Sequence, residues 1–316
     1  MKKFTKITLI IAAVFAMLGI TLCCVASTVA GGFGQLRAMA ENGELNFGNW
    51  HFEDGVYYRG ENMLDVVEEI NIDAELLPGG NEHVENRYEQ EISCIEMELD
   101  LANVLIKVVD EDALTVSMEN GYKKYYEEEL EGDTLIISYD VGINNYKEGP
   151  DITINVPSHY VLDDIIIDTD LGNVEIRDFE EGCGGLDIRA ALGNIEVYNC
   201  VIDGSSILQA DMGNAQMTKV TCKDVELSSD MGEVKFEGIV NGDLTMTADM
   251  GTAKAKVHGK EADYNIYLSA DMGDVTCNGT HHTKDMGGEY ERESSDAKGD
   301  IYMHSSMGAV ELSFGL

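Results

Sequence analysis

Five aspartates recur at nearly regular spacing, and they are the residues of this sequence best suited to chemistry. Each stands two positions before a glycine, and they are Asp170, Asp211, Asp230, Asp249 and Asp271. A column of carboxylates with backbone carbonyls nearby suits Ca²⁺, which favours flexible oxygen ligands. The alternative, which we prefer, is that each Asp caps its own turn by accepting hydrogen bonds from the following backbone amides. Ala191 and Ser306 interrupt the column. Ca²⁺ is therefore the one cofactor that the sequence suggests, and it is not the preferred interpretation.

A second candidate cluster is histidine-based. His281 and His282 are adjacent, and with Asp285 and His304 they could meet at a metal ion. Adjacent histidines in a polar loop are more typical of solvated side chains, and the sequence contains no helical His-x-x-x-His or His-Glu pair. It also contains no Gly-x-Ser-x-Gly elbow, phosphate-binding loop or dinucleotide fingerprint. We therefore predict no catalytic residue.

The aspartates belong to a repeat that predicts the architecture. Asp-Met-Gly occurs at 211–213, 230–232, 249–251 and 271–273, with looser copies at 170–172, 191–193 and 306–308. A period of about 20 residues indicates a stack of similar units. Apolar and polar residues alternate on both sides of each glycine, so each unit reads as strand, corner and strand. The sequence predicts an all-β fold, a parallel β-solenoid or β-helix with rungs of about 20 residues.

The residues next to the aspartates suggest how the corner is built. Glycine is expected there because it adopts positive φ at low cost. The residue just before the glycine is always Met or Leu, at 171, 192, 212, 231, 250, 272 and 307. Methionine is flexible and fills irregular space. We therefore predict that these side chains form one internal column of the core.

The N-terminus predicts a membrane anchor. Lys2, Lys3 and Lys6 precede an apolar stretch at 7–30, long enough to cross a bilayer as a helix. The basic residues predict a cytoplasmic N-terminus and an extracytoplasmic remainder. A signal peptide cleaved after Ala30 is the alternative.

The rest of the chain divides by composition. Residues 1–36 are tail and anchor, 37–90 an irregular acidic linker with a loop at 43–60, and 91–316 the strand-repeat domain. Within that domain, 91–168 are irregular cap rungs and 169–316 are regular rungs. A polar insertion at 280–299 lengthens the last spacing, and the strand at 310–314 ends the chain, which predicts an open sheet edge.

Charge and cysteine content narrow the function classes. The 316 residues carry a formal net charge of −38, a field that repels nucleic acid and excludes a role in binding it. Such a field attracts divalent cations, basic proteins or cationic polymers. Five cysteines follow the anchor without a Cys-x-x-Cys pair. Cys277 occupies a core position of the repeat, and a bridge between Cys200 and Cys222 is conceivable.

The repeats also carry a family resemblance. The segment Ile152-Thr153-Ile154-Asn155-Val156-Pro157, the corner Gly172-Asn173-Val174-Glu175-Ile176 and the closing Gly308-Ala309-Val310-Glu311-Leu312 resemble the bacterial putative-adhesin family of β-strand-repeat proteins (domain of unknown function 4097). The resemblance covers roughly 91–316. It implies a cell-envelope protein with one N-terminal membrane segment, and it supplies no catalytic residues.

Three functions remain open at this point. The first is a membrane-anchored, extracytoplasmic binding, adhesion-like or structural module that contacts an envelope polymer or protein. The second is an accessory of envelope-stress signalling. The third is a β-helix carbohydrate-active enzyme, which needs clustered carboxylates in a walled groove, and no loop before residue 280 is long enough to wall one. We expect the first, without catalysis.

Overall fold

The computed structural model describes residues 50–53, 56–59, 80–141, 149–284 and 286–315. The chain divides into two compact units, 1–74 and 75–316. In the first, strands β1 (Trp50–Glu53) and β2 (Val56–Arg59) form an antiparallel hairpin, so the predicted loop at 43–60 is wrong. Aromatic residues and valine favour strands there.

The predicted anchor at 7–30 lies outside the described residues, among which no helix is long and apolar enough to span a membrane.

The second unit is built from strands. They are β3 (Glu82–Tyr88), β4 (Cys94–Leu101), β5 (Asn103–Val109), β6 (Leu114–Gly121), β7 (Tyr126–Glu131), β8 (Thr134–Tyr139), β9 (Asp151–Pro157), β10 (Asp164–Leu171), β11 (Val174–Arg177), β12 (Gly185–Leu192), β13 (Ile195–Tyr198), β14 (Val201–Met212), β15 (Ala215–Met231), β16 (Val234–Val240), β17 (Leu244–Met250), β18 (Ala253–His258), β19 (Tyr264–Met272), β20 (Val275–Cys277), β21 (Thr280–His281), β22 (Thr283–Lys284), β23 (Gly287–Arg292), β24 (Gly299–Met307) and β25 (Val310–Gly315). Short 3₁₀ turns occupy Lys123–Tyr125 and Glu261–Asp263. The predicted all-β class is confirmed, and β3 lies inside the predicted linker.

Each repeat forms one rung, and the rungs stack through two parallel ladders. The first ladder contains, in spatial order, β8, β4, β10, β12, β14, β15, β17, β24 and β19. The second contains β9, β5, β11, β13, β15, β16, β18, β25 and β20. A short corner joins the two strands of each rung except β8–β9, between which 142–148 lie outside the described residues. The solenoid-like, parallel arrangement of rungs is therefore confirmed.

Spatial order departs from chain order at both ends of the stack. The rung β4–β5 lies inside β8–β9, and the last rung of the chain, β24–β25, lies between β17–β18 and β19–β20. The prediction that 310–314 leaves an open edge is therefore wrong, because β25 pairs on both sides. The insertion at 280–299 makes this possible, since it carries the chain past the end of the stack and back.

Antiparallel strands cover the outermost rungs. At one end β7 pairs with β8 and β6 with β9, while β3 extends β6. At the other end β23 pairs with β19 and β21 with β20. Covering the parallel edges in this way limits their pairing with other chains.

The core consists of inward side chains from both ladders. Most of these side chains are aliphatic. Large and small side chains alternate between rungs: Phe236 is the register partner of Ala255, and both are buried. Leu312 and Cys277 continue that column. Cys277 is 4% exposed, so its predicted core role is confirmed. Stacked rungs thus bury apolar side chains that a single rung would leave exposed to solvent.

Three further cysteines line a short third side of the rungs. Cys183, Cys200 and Cys222 are buried free thiols, so the conceivable bridge between Cys200 and Cys222 is not formed. Burial raises the pKa of the Cys183 and Cys222 thiols to about 12 and that of Cys200 to about 11. These thiols are therefore protonated packing groups at neutral pH.

Candidate functional site

The Met and Leu side chains that precede the corner glycines point outward. Their exposed fractions range from 38% at Leu192 to 49% at Met272. We call this set the corner ridge; it comprises Leu171, Leu192, Met212, Met231, Met250, Met307 and Met272. The prediction of an internal Met column is wrong. Strand alternation extrapolated through the corner would place these residues inside, but the backbone begins to turn at the Asp, and register pairing between first-ladder strands skips that residue.

The corner ridge is continuous because its members are register partners on successive rungs. Leu171 pairs with Leu192, and the line runs on through Met212, Met231, Met250, Met307 and Met272. Neighbouring strands lie about 4.8 Å apart, so the seven residues span about 29 Å. Stacking also brings the five methionines together at one end of the line, with the two leucines at the other.

The five predicted site aspartates lie beside the ridge on its first-ladder side. Asp170, Asp230, Asp249 and Asp271 are exposed and Asp211 is partly buried. The Asp211 carboxylate accepts from Gln209 Nε2 at 3.0 Å, and that of Asp249 accepts from Ser306 Oγ at 3.5 Å.

Neither role expected of these aspartates is seen. Within the described part of the chain no backbone amide donates to any of the five, so the predicted turn caps are wrong. No three His, Cys, Asp or Glu side chains come together there as metal ligands. Ca²⁺ on this column stays a prediction.

Asparagines, rather than aspartates, cap the corners, and they do so between rungs. The Oδ1 atom of Asn173 accepts from the backbone N of Asn194 at 3.0 Å. Asn194 Oδ1 accepts in the same way from Asn214 at 3.0 Å, and Asn214 Oδ1 accepts from Glu233 N at 2.8 Å. Side-chain amides of this ladder also donate to the previous Asn. The Gly-Asn pair at these corners could have indicated these caps from the sequence. The prediction assigned the capping role to the aspartates instead.

The corner glycines are required by close packing between rungs. A Cβ added to Gly193 would lie 1.7 Å from the carbonyl oxygen of Gly172, and one added to Gly232 would lie 1.9 Å from that of Gly213. The sequence predicted glycine at the corners because of positive φ, and φ is positive at Gly172, Gly193, Gly213 and Gly273. The contact with the previous rung is common to all seven corners. Glycine thus sets how closely the corners stack.

The two ladders present different electrostatic surfaces on either side of the ridge. Outward positions of the first ladder form what we call the acidic face: Glu96, Glu98, Asp100, Asp164, Asp168, Asp170, Asp187, Asp211, Asp224, Glu226, Asp230, Asp243, Asp249, Asp271 and Asp300. Two basic side chains contact this face: Arg189 pairs with Asp187, and Lys223 pairs with Asp224. Outward residues of the second ladder instead form ion pairs, such as Lys254 with Glu311 and Lys256 with Glu237, both at 2.8 Å.

One protein-family model matches most of the strand-repeat domain. Residues 92–303 match the family model Toastrack DUF4097. The chain belongs to the Toastrack family. A search of curated proteins finds no match.

Solved structures similar to this Toastrack chain include a putative adhesin from Bacteroides fragilis, 12% identical, covering 76% of this chain and 100% of that one with a TM-score of 0.39. Another is a putative adhesin from Parabacteroides distasonis, 13% identical, covering 76% and 99% with a TM-score of 0.36. A third is a putative lipid binding protein from the same species, 14% identical, covering 76% and 99% with a TM-score of 0.30.

The histidines of this Toastrack chain are not brought together. His281 Nδ1 lies 3.3 Å from Thr276 Oγ1, while His304 Nδ1 lies 2.9 Å from Ser269 Oγ on the first ladder. Asp285 lies outside the described residues. The predicted His cluster therefore gains no support as a metal site, and the corner ridge with its acidic face is the distinctive surface.

Proposed function

We propose that this Toastrack chain is a non-catalytic, membrane-anchored binding module on the outer side of a bacterial cell membrane. The corner ridge and the acidic face form its binding surface, and the partner is a basic, elongated envelope protein or polymer. The single observation that carries this proposal is the in-register line of seven exposed Leu and Met side chains.

Exposed apolar residues are ordinary when they are scattered, but a contiguous line of them usually marks an interaction site. Here the line is held by the backbone register of successive strands, so it is continuous and prearranged. Methionine is flexible and adapts to the shape of a partner. The ridge therefore offers a long, narrow apolar contact.

Charge selects the kind of partner. The acidic face borders the ridge along its length, and the whole chain carries a net charge of −38. Such a field draws basic molecules toward the surface and repels acidic ones. A partner with apolar and basic groups along one side would contact both features at once.

The proposed location rests on the N-terminal sequence. The basic residues before the apolar stretch at 7–30 favour a cytoplasmic N-terminus and place the solenoid on the opposite side of the membrane. An anchored module would then present the ridge to other components of the envelope.

Photocrosslinking of the full-length chain in its membrane tests the proposal. A crosslinking amino acid replaces Met231, which is 43% exposed, and in a matched control it replaces Ile239, 40% exposed on another side of the rung. We expect a discrete adduct from position 231 whose partner is basic and whose yield falls with added salt. Equal adducts from both positions, or an adduct insensitive to salt, would contradict the proposal.

A further inference from the structure

We propose that the five stacked methionines of the corner ridge form a binding site for soft monovalent metal ions, Cu(I) and Ag(I). The site consists of Met212, Met231, Met250, Met307 and Met272, one from each of five successive rungs. We call it the thioether ladder. It goes beyond the partner-binding role and does not depend on it.

The composition of the ladder points to soft ions. Thioether sulfur is a soft ligand that selects Cu(I) and related ions, whereas Ca²⁺ and Mg²⁺ require oxygen. All five side chains are between 43% and 49% exposed, so a bound ion can reach them from solvent. Packing in the core does not explain them, because the core positions of the same rungs are filled by other residues, such as Met246 and Ala248.

The spacing of the ladder matches metal coordination. Register partners on adjacent parallel strands are about 4.8 Å apart. A metal–sulfur bond is about 2.3 Å, as for zinc, so two sulfur atoms on opposite sides of one ion are separated by about 4.6 Å. The three rotatable bonds of methionine let neighbouring side chains adjust to that distance. Each ion would therefore bridge two or three successive rungs.

The contiguity of the ladder depends on the strand order. In chain order Met272 precedes Met307, and the insertion at 280–299 separates them. In the fold Met307 lies between Met250 and Met272, which closes the line into five adjacent thioethers. Without the return of β24 between β17 and β19, the series would contain one methionine fewer.

Neighbouring charge favours cations at this place. Thioethers are neutral, so a bound Cu(I) or Ag(I) keeps its positive charge. Asp211, Asp230, Asp249 and Asp271 each precede a ladder methionine, and their carboxylates offset that charge at short range. Thioethers also do not take up protons near neutral pH, so binding should persist under mildly acidic conditions in which imidazole, thiolate and carboxylate sites lose their metal.

Titration of the full-length chain with Ag(I), a redox-inert probe, tests the site. Methionine methyl groups are labelled with ¹³C and followed by NMR at about pH 5.5, where protons compete with the metal ion for the thiols. We expect shifts of the five ladder methyls. The buried Met217 and Met246 serve as internal controls and should not shift.

A substitution that keeps the apolar bulk tests the sulfur atoms themselves. In the Met231→Leu/Met250→Leu variant, Ag(I) affinity should fall by about tenfold or more, the loss typical of damage to a metal site. Unchanged Ag(I) affinity in the variant, or shifts of Met217 and Met246 equal to those of the ladder, would overturn the proposal.

Discussion

Met307 is the register partner of Met250 on an adjacent parallel strand, although β18 through β23 separate them in the chain. The rung that ends the sequence is thus an interior rung of the stack. Disulfide trapping can test this order, because register partners about 4.8 Å apart lie within the Cα range of disulfides, roughly 4.4–6.8 Å.

The first prediction concerns that strand order. A Met250→Cys/Met307→Cys variant should form a cross-link under mild oxidation. A Met250→Cys/Met272→Cys variant should not, because those positions are two rungs, or about 9.6 Å, apart. Mass spectrometry of the linked peptides distinguishes the two. A cross-link in the second pair alone would mean that the rungs follow chain order.

The second prediction concerns close packing at the corners. Gly232→Ala should lower the free energy of unfolding by about 3 kcal/mol, because the added Cβ would lie 1.9 Å from Gly213 O. Gly259→Ala is the matched control, since the atom nearest to its added Cβ would be the Tyr264 hydroxyl oxygen at 3.7 Å. Neither glycine has positive φ, so the comparison isolates the steric contact. Urea unfolding measures both, and equal losses would contradict the explanation.

The third prediction separates the asparagine ladder from the aspartate column. Asn194→Ala should cost about 2 kcal/mol, since it removes the oxygen that accepts from Asn214 N at 3.0 Å. Asp211→Ala should change the free energy of unfolding by about 0.5 kcal/mol or less. Chemical denaturation of the two variants is the measurement. A larger loss from the aspartate variant would restore the aspartates as corner caps.

The fourth prediction concerns alkaline pH. Burial raises the pKa of the Cys183 and Cys222 thiols from 9.0 to about 12. Between these values the unfolded chain has released protons that the folded chain retains, so the free energy of unfolding must fall as pH rises. The stabilisation is complete below about pH 9.

A Cys183→Ala/Cys222→Ala variant checks this linkage. Its free energy of unfolding should fall less steeply with pH across the same window, and its pH dependence near neutrality should match that of the parent. Urea unfolding at several pH values gives the slopes. Identical slopes in the alkaline range would show that the thiols ionise alike in the folded and unfolded chains.

The rung itself was predictable from local pattern. Alternating residues around each glycine, repeated at about 20 residues, were enough to indicate a parallel stack. The spatial order of the strands was not predictable, because similar rungs have similar edges. By sequence alone, Met250 could pair equally well with Met272 or Met307. The length of the insertion at 280–299 allows β24 to pair between β17 and β19, but the repeat pattern does not indicate which strands pair.

The exposed position of the corner ridge was harder to predict from the sequence. Alternation assigns Met250 to the core if the strand is extended through the corner, and only the turn at Asp249 reverses that assignment. The small residue Ala248, buried on the same strand, was the available clue that the core position had already been filled. Asn194 was overlooked because its partner lies one rung away rather than nearby in sequence.

The placement of β24–β25 between two earlier rungs also bears on how the molecule is made. A simple repeat stack could add each rung as it emerges from the ribosome. Here β17–β18 and β19–β20 cannot pack directly against each other, because β24–β25 must lie between them. Assembly of that part of the stack therefore waits until β24–β25 has been synthesised, and a chain truncated before β24 would lack an interior rung.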